Sequence, residues 1–147
     1  MKTHRKGQSL VEFALIFPLV ILLLVGGIID FGFAFYNMIT LQQIANDTAK
    51  WAAESLETNG KPGRSSAKII EYANSRKPIW WNSSFGVQPE TDISLTTGGT
   101  ATRVILSYES PLFTPFYSTV TTGISGKPVI PLKTTALYKI PEAVFSR

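Results

Sequence analysis

A continuous apolar stretch near the N-terminus constrains this chain more than any other feature. Residues 13–29 contain only apolar side chains, glycines and one proline, and an acid stands at either end, Glu12 and Asp30. At 1.5 Å per residue the distance between these acids is about 27 Å, close to the roughly 30 Å hydrocarbon thickness of a bilayer. A chain of 147 residues could hardly bury a helix that is apolar all round. The stretch therefore predicts one transmembrane helix over about residues 10–34, with Asp30 at the membrane boundary.

Basic residues before this stretch predict its orientation. Lys2, Arg5 and Lys6 precede it, and no comparable cluster follows. The positive-inside rule then places the N-terminus in the cytoplasm and the C-terminal domain outside. Without these three residues, basic and acidic side chains nearly balance, so the net charge of +4 does not indicate a nucleic-acid partner.

The composition excludes several kinds of catalytic and metal site. The chain has no cysteine, which removes disulfides, CxxC redox motifs and cysteine zinc sites. Its single histidine, His4, cannot build a histidine-dependent triad or a multi-histidine metal site. Glu90 and Asp92 are close enough in sequence to share a cation, but solvated residues before a strand explain them more simply. We expect neither an enzyme nor a cofactor.

The helical pattern continues beyond the apolar stretch and becomes one-sided. From Met38 to Leu56, apolar and small residues share one face and polar residues the other. Asn59-Gly60 then signals a helix end. We predict one helix over residues 8–57, with an amphipathic extension at 35–57 that carries the head domain.

The start of the chain combines several signals that are specific only together. A basic leader, residues 1–7, ends in Gly7, and Glu12-Phe13 follows at the start of the apolar helix. Further on come "IIDFG" and "ANDTAKWAA". This arrangement resembles the type IV prepilin class. More narrowly, residues 5–53 resemble the N-terminal region of TadE-like proteins, which are minor pseudopilins of tight-adherence (Tad/Flp-type) pilus or secretion systems.

The resemblance implies a processing site and a set of partners. A prepilin peptidase would cut after Gly7 and leave Gln8 as the new N-terminus, with Glu12 and Phe13 serving peptidase recognition and assembly. The implied partners are this peptidase, other pilins and pseudopilins, the inner-membrane assembly platform and the lipid bilayer. The protein would be a single-pass inner-membrane protein. Whether it enters the filament, caps it or primes assembly stays open.

Glu12 has two explanations, because an acid at the edge of hydrocarbon needs compensation. A position in the first turns of the helix, near the headgroups, stabilises an anion by a few tenths to about 1 kcal/mol. Alternatively, as pilin-like proteins imply, Glu12 pairs with the free ammonium of Gln8 on another subunit. Asp30 is sufficiently explained by its position at the outer interface.

Residues 58–147 are predicted to form an extracytoplasmic α+β head of type IV pilin-like plan, with a small antiparallel sheet packed on the long helix. A short helix is expected at 65–75. Residues 91–97 and 101–108 read as a hairpin around Gly98-Gly99, in which Val104, Leu106 and Tyr108 share one face. A last strand is expected at 129–140, and Phe116–Val120 is either a short helix or irregular.

Three minor features each have a simple explanation. Trp80-Trp81 fits a carbohydrate or membrane-interface site, but large aromatic residues in a small head more often fill the core. Gly26, Gly27 and Gly32 would allow another helix to approach closely, although glycine is common in membrane helices. Asn82-Ser83-Ser84 matches a glycosylation triplet that occurs often by chance.

A second hypothesis is a secreted or membrane-tethered binding domain that follows an ordinary signal sequence. Gly32-Phe33-Ala34 is an acceptable cleavage site for it. The helical stripe that continues past Ala34 argues against this alternative. The mature N-terminus discriminates the two hypotheses, because the first predicts Gln8 and the second Phe35.

Overall fold

The computed structural model describes residues 5–54, 65–81 and 84–141, and side chains from Gly7 onward. Its elements in chain order are α1 (Arg5–Glu54), α2 (Ser66–Arg76), β1 (Gly86–Ser94), β2 (Thr100–Pro111), α3 (Pro115–Ser125) and β3 (Val129–Lys139). The predicted order of a long helix followed by a small sheet domain is confirmed. The first leader residues, the helix-ending signal at Asn59-Gly60 and the Asn82-Ser83 pair lie outside the described residues.

Helix α1 is a single element of 50 residues that contains Pro18. It begins at Arg5, so the end of the predicted leader is already helical. Its Gly7–Glu54 part includes a window of mean hydropathy 2.6 and is, among the described helices, the one long and apolar enough to cross a membrane. Most large apolar side chains between Leu10 and Ile29 are exposed, as expected where lipid is the solvent.

The chain forms two compact units. The first contains the described residues up to Phe35 together with Pro111–Ile130, a segment that includes α3. The second contains Tyr36–Ser110 and the described residues from Pro131 onward. From sequence we counted residues 111–130 with the head.

The second unit is built on a three-stranded antiparallel sheet of order β1-β2-β3. The predicted hairpin is present, with Gly98 and Gly99 at φ 85° and 91° in a turn that favours glycine. Its first strand was placed wrongly at 91–97, because β1 spans Gly86–Ser94 and the residues after Ser94 belong to the turn. Val104, Leu106 and Tyr108 of β2 are buried on one face. The predicted stripe on α1, including Leu41, packs in the same core.

The segment around Phe116–Val120, whose conformation the sequence left open, is helical and forms part of α3. Pro115 occupies its first turn, where a missing N–H costs nothing. Gly126 ends it in the left-handed region at φ 75°, with its N–H donating to the carbonyl of Thr122. The helix contains no buried residue.

Candidate functional site

The predicted processing residues lie together on the first turns of α1. The side-chain amide of Gln8 donates to a carboxylate oxygen of Glu12 at 3.1 Å, one helical turn away, and both residues are exposed. Phe13 is also exposed and stacks on Phe17, with ring centroids 5.3 Å apart. A methyl group built at Gly7 would meet nothing within 4 Å. Within the described chain, therefore, no packing contact requires glycine at position 7.

Asp30 has a specific role that its sequence position did not reveal. Its side chain is fully buried, and one carboxylate oxygen accepts the backbone N–H of Phe113 at 2.8 Å. The backbone N–H of Thr114 lies 3.3 and 3.2 Å from the two carboxylate oxygens, and the Thr114 hydroxyl donates as well. Thr114 is the N-cap of α3 but makes no side-chain cap of its own. Asp30 therefore caps α3 from another element and adds a negative charge at the positive end of its dipole.

Two glycines of α1 bring α3 close to the apolar helix. A methyl group at Gly26 would lie 3.2 Å from the side chain of Thr114, and one at Gly27 only 2.7 Å from the Tyr117 hydroxyl. That hydroxyl donates to the backbone carbonyl of Leu23 at 3.0 Å. At Gly32, in contrast, a methyl group would meet nothing within 4 Å. Two of the three glycines that were expected to admit another helix thus face a segment of the same chain.

Sequence reasoning missed Tyr117 entirely. It lies 94 residues from its partner Leu23, and no local pattern relates the two. Edge-to-face aromatic pairs support the same contact, at 5.7 Å between the rings of Phe31 and Tyr117 and 4.9 Å between those of Phe33 and Phe113. The one sequence feature that could have pointed to this contact is that residues 110–126 are rich in aromatic side chains and carry no charge.

An apolar groove of about 810 Å³ lies on this first unit. One wall is formed by α1 from Pro18 to Ile29 and the other by Thr114–Tyr117. Apart from the hydroxyls of Thr114 and Tyr117, the lining side chains are hydrocarbon. The groove therefore suits an apolar ligand and offers few hydrogen-bonding groups.

The second unit contains a buried polar triad rather than an exposed tryptophan pair. The Trp81 indole N–H donates to the side-chain oxygen of Asn37 at 3.1 Å, and the Asn37 amide donates to the Ser110 hydroxyl at 3.0 Å. Trp81 also stacks on Tyr108 at 4.3 Å between centroids, and burial raises the pKa of the Tyr108 hydroxyl. The expectation that the tryptophan pair fills the core is confirmed for Trp81 and wrong for Trp80, which is 55% exposed.

Glu90 and Asp92, which were expected to precede a strand, lie within β1 and have different environments. Glu90 forms a 2.9 Å salt bridge with Arg103, its partner in the β1–β2 register, and both side chains are partly exposed. Asp92 adopts φ 60° at the point where that register shifts. In the described part of the chain, no group of three or more histidine or acidic residues could hold a metal ion.

These observations define the class of the protein. It is an α+β protein with one N-terminal helix long and apolar enough to cross a membrane, followed in the chain by a small antiparallel sheet domain. Residues 7–50 match the model of the TadE-like protein family, which confirms the resemblance inferred from the sequence over this segment. No curated protein and no solved structure matches the chain. The family match supports an involvement with the tight-adherence pilus system.

Proposed function

We propose that the protein is a membrane-anchored minor pseudopilin, which a prepilin peptidase cleaves after Gly7 and which then acts in assembly of a tight-adherence type pilus or secretion system. The observation that carries the proposal is the TadE-like match over residues 7–50. This segment begins at Gly7, contains Glu12 and Asp30, and runs along one uninterrupted helix. The proposed location is the inner membrane, with the N-terminus in the cytoplasm.

The surroundings of Gly7 support a role for an enzyme outside the chain. A methyl group at position 7 would meet nothing within 4 Å beyond its chain neighbours and the adjacent helix backbone, so the described packing of the protein does not require glycine there. Glycine exposes the backbone and adopts extended conformations easily, which suits a bond that must enter a protease active site. Any strict need for glycine at this position would then come from the peptidase.

Glu12 is available for a partner. Its carboxylate is exposed, and its described hydrogen bond comes from the neutral amide of Gln8. A carboxylate beside hydrocarbon gains more from a positive partner than one in water does, because the local dielectric is low. The ammonium that cleavage creates on Gln8 of another subunit is the proposed partner.

Two substitutions separate processing from assembly. Gly7→Leu should leave the precursor uncut in the membrane. Glu12→Gln keeps the size of the side chain but removes its charge, so membrane insertion should persist while pilus output falls. Glu54→Gln is the matched control: it makes the same change in the same helix, at an exposed acid paired with Lys50 at 3.9 Å, and should leave pili unchanged. Pilus output is measured by shearing and immunoblotting.

Each substitution has a contradicting result. Normal trimming of the Gly7→Leu protein would argue against peptidase cleavage at this bond. Normal pilus output from Glu12→Gln would argue against the proposed charge pair. A mature chain that starts at Phe35 would favour the signal-sequence hypothesis, although Ala34 is buried within a continuous helix.

A further inference from the structure

The segment from Ser110 to Gly126 carries no charged residue. Its helix, α3, buries none of its own side chains. Phe116, Val120 and Ile124 fall within about 80° of one another around the helix axis, since successive residues are about 100° apart. Their exposed fractions are 49%, 43% and 83%, and Phe113 just before the helix is 59% exposed. The helix therefore presents one uncovered apolar face.

The contacts of α3 place its start beside the apolar part of α1. Asp30, at the end of the apolar stretch, caps the helix through Phe113 and Thr114. The Tyr117 hydroxyl reaches the carbonyl of Leu23, seven residues further inside the stretch, which corresponds to about 10 Å along the helix axis. A hydroxyl at that depth needs a hydrogen-bond partner, and the carbonyl of Leu23 supplies one.

The exposed apolar face of α3 and the exposed apolar surface of α1 meet at one groove, since Phe116 belongs to that face and also lines the groove. The groove between Thr114–Tyr117 and Pro18–Ile29 joins the two surfaces, and its walls are almost entirely hydrocarbon. The face away from these apolar residues carries the hydroxyls of Ser118, Thr122 and Ser125, and the Thr122 hydroxyl donates to the carbonyl of Ser118. A helix with an uncharged apolar face, a hydroxyl-bearing opposite face and a tether to a spanning helix is suited to the boundary between acyl chains and headgroups.

We propose that α3 is a second membrane-embedded element, lying in the leaflet at the Asp30 end of the span, with Phe116, Val120 and Ile124 against lipid acyl chains. Lipid tails would also occupy the groove between α3 and α1. The protein is thus held by one spanning helix and one interfacial helix, and Asp30 joins the two. The inference rests on the membrane anchoring in the proposed function.

The absence of cysteine from the sequence allows a direct test. The full chain, carrying a single cysteine with an environment-sensitive fluorophore, is reconstituted in vesicles of phosphatidylcholine and phosphatidylglycerol. Ile124→Cys reports on the apolar face and Thr122→Cys, the matched control, on the opposite face of the same helix. Leu19→Cys reports on the span. Quenching is compared between nitroxides on lipid acyl chains and iodide in water.

The label at Ile124 should be quenched several-fold more by acyl-chain nitroxide than the label at Thr122, with the reverse order for iodide. Val120→Cys provides a second reporter of the same face. Equal iodide quenching at Ile124 and Thr122 would overturn the inference, and so would an Ile124 label shielded from both quenchers, because protein would then cover the face. Lipid quenching at Leu19 separates the two proposals: if it is absent, the anchoring itself fails, and if it is present while Ile124 is open to iodide, only the inference about α3 fails.

Discussion

Replacing Asn37 by alanine should destabilise the second unit by more than the loss of a few side-chain atoms would suggest. Asn37 is fully buried, and it both accepts from the Trp81 indole and donates to the Ser110 hydroxyl. Without it the indole N–H, which has one fixed direction, loses its partner, at a cost of about 1–3 kcal/mol. The Ser110 hydroxyl can rotate, so we add only about 1 kcal/mol for it and the lost packing together. The expected loss is about 2–4 kcal/mol in the free energy of unfolding.

The measurement is a denaturant titration of the full chain in detergent micelles, followed by tryptophan fluorescence. Asn74→Ala is the matched control, because Asn74 is also an asparagine on a helix, but it is exposed and its amide donates to the carbonyl of Ile70 at 2.9 Å. Its stability should change by about 0.5 kcal/mol or less. If Asn37→Ala costs no more than Asn74→Ala, the argument that the triad holds Trp81 in the core is refuted.

Three further predictions concern other contacts. Burial raises the pKa of Tyr108, so the fold favours its neutral form, and the free energy of unfolding should fall as the pH rises above the ordinary tyrosine value of about 10. Denaturation at several alkaline pH values checks this. If the free energy of unfolding of Tyr108→Phe falls with pH just as steeply, the prediction is contradicted. Thr48→Val should raise the free energy of unfolding by about 1 kcal/mol, because the buried Thr48 hydroxyl has no hydrogen-bond partner among the described residues; a destabilised variant in the same titration would count against this reasoning. Gly27→Ala should displace Tyr117 and speed limited proteolysis around α3. Gly32→Ala, whose added methyl group meets nothing within 4 Å, should not. Equal proteolysis rates for the two variants would show that the Gly27 contact is unimportant.

The sequence predicted those features that depend on local periodicity. The stripe that includes Leu41 follows the helical repeat, and the alternation of Val104, Leu106 and Tyr108 follows the strand repeat, so both faces could be assigned before the structure was known. The short spacing of Gly7, Gln8 and Glu12 within one element also allowed a processing site to be proposed, and that site stays a prediction.

Contacts between distant segments were not predictable in this way. Asp30 and Phe113 are 83 residues apart, and neither neighbourhood announces a helix cap supplied from elsewhere. The α3 segment is rich in threonine, which favours strands, so its helical state depends on Pro115, Gly126 and the Asp30 cap together. Adjacent tryptophans gave no indication that Trp81 would be the buried one, because that choice follows from where Asn37 and Tyr108 lie.

Cleavage after Gly7, with the apolar helix kept as the anchor, is checked by peptide mass spectrometry of the mature N-terminus. The protein is taken from the membrane fraction of piliated cells. The first residue should be Gln8, with the apolar stretch retained in the same polypeptide. A first residue of Phe35, or a chain that keeps the leader residues in cells with normal pili, would contradict it.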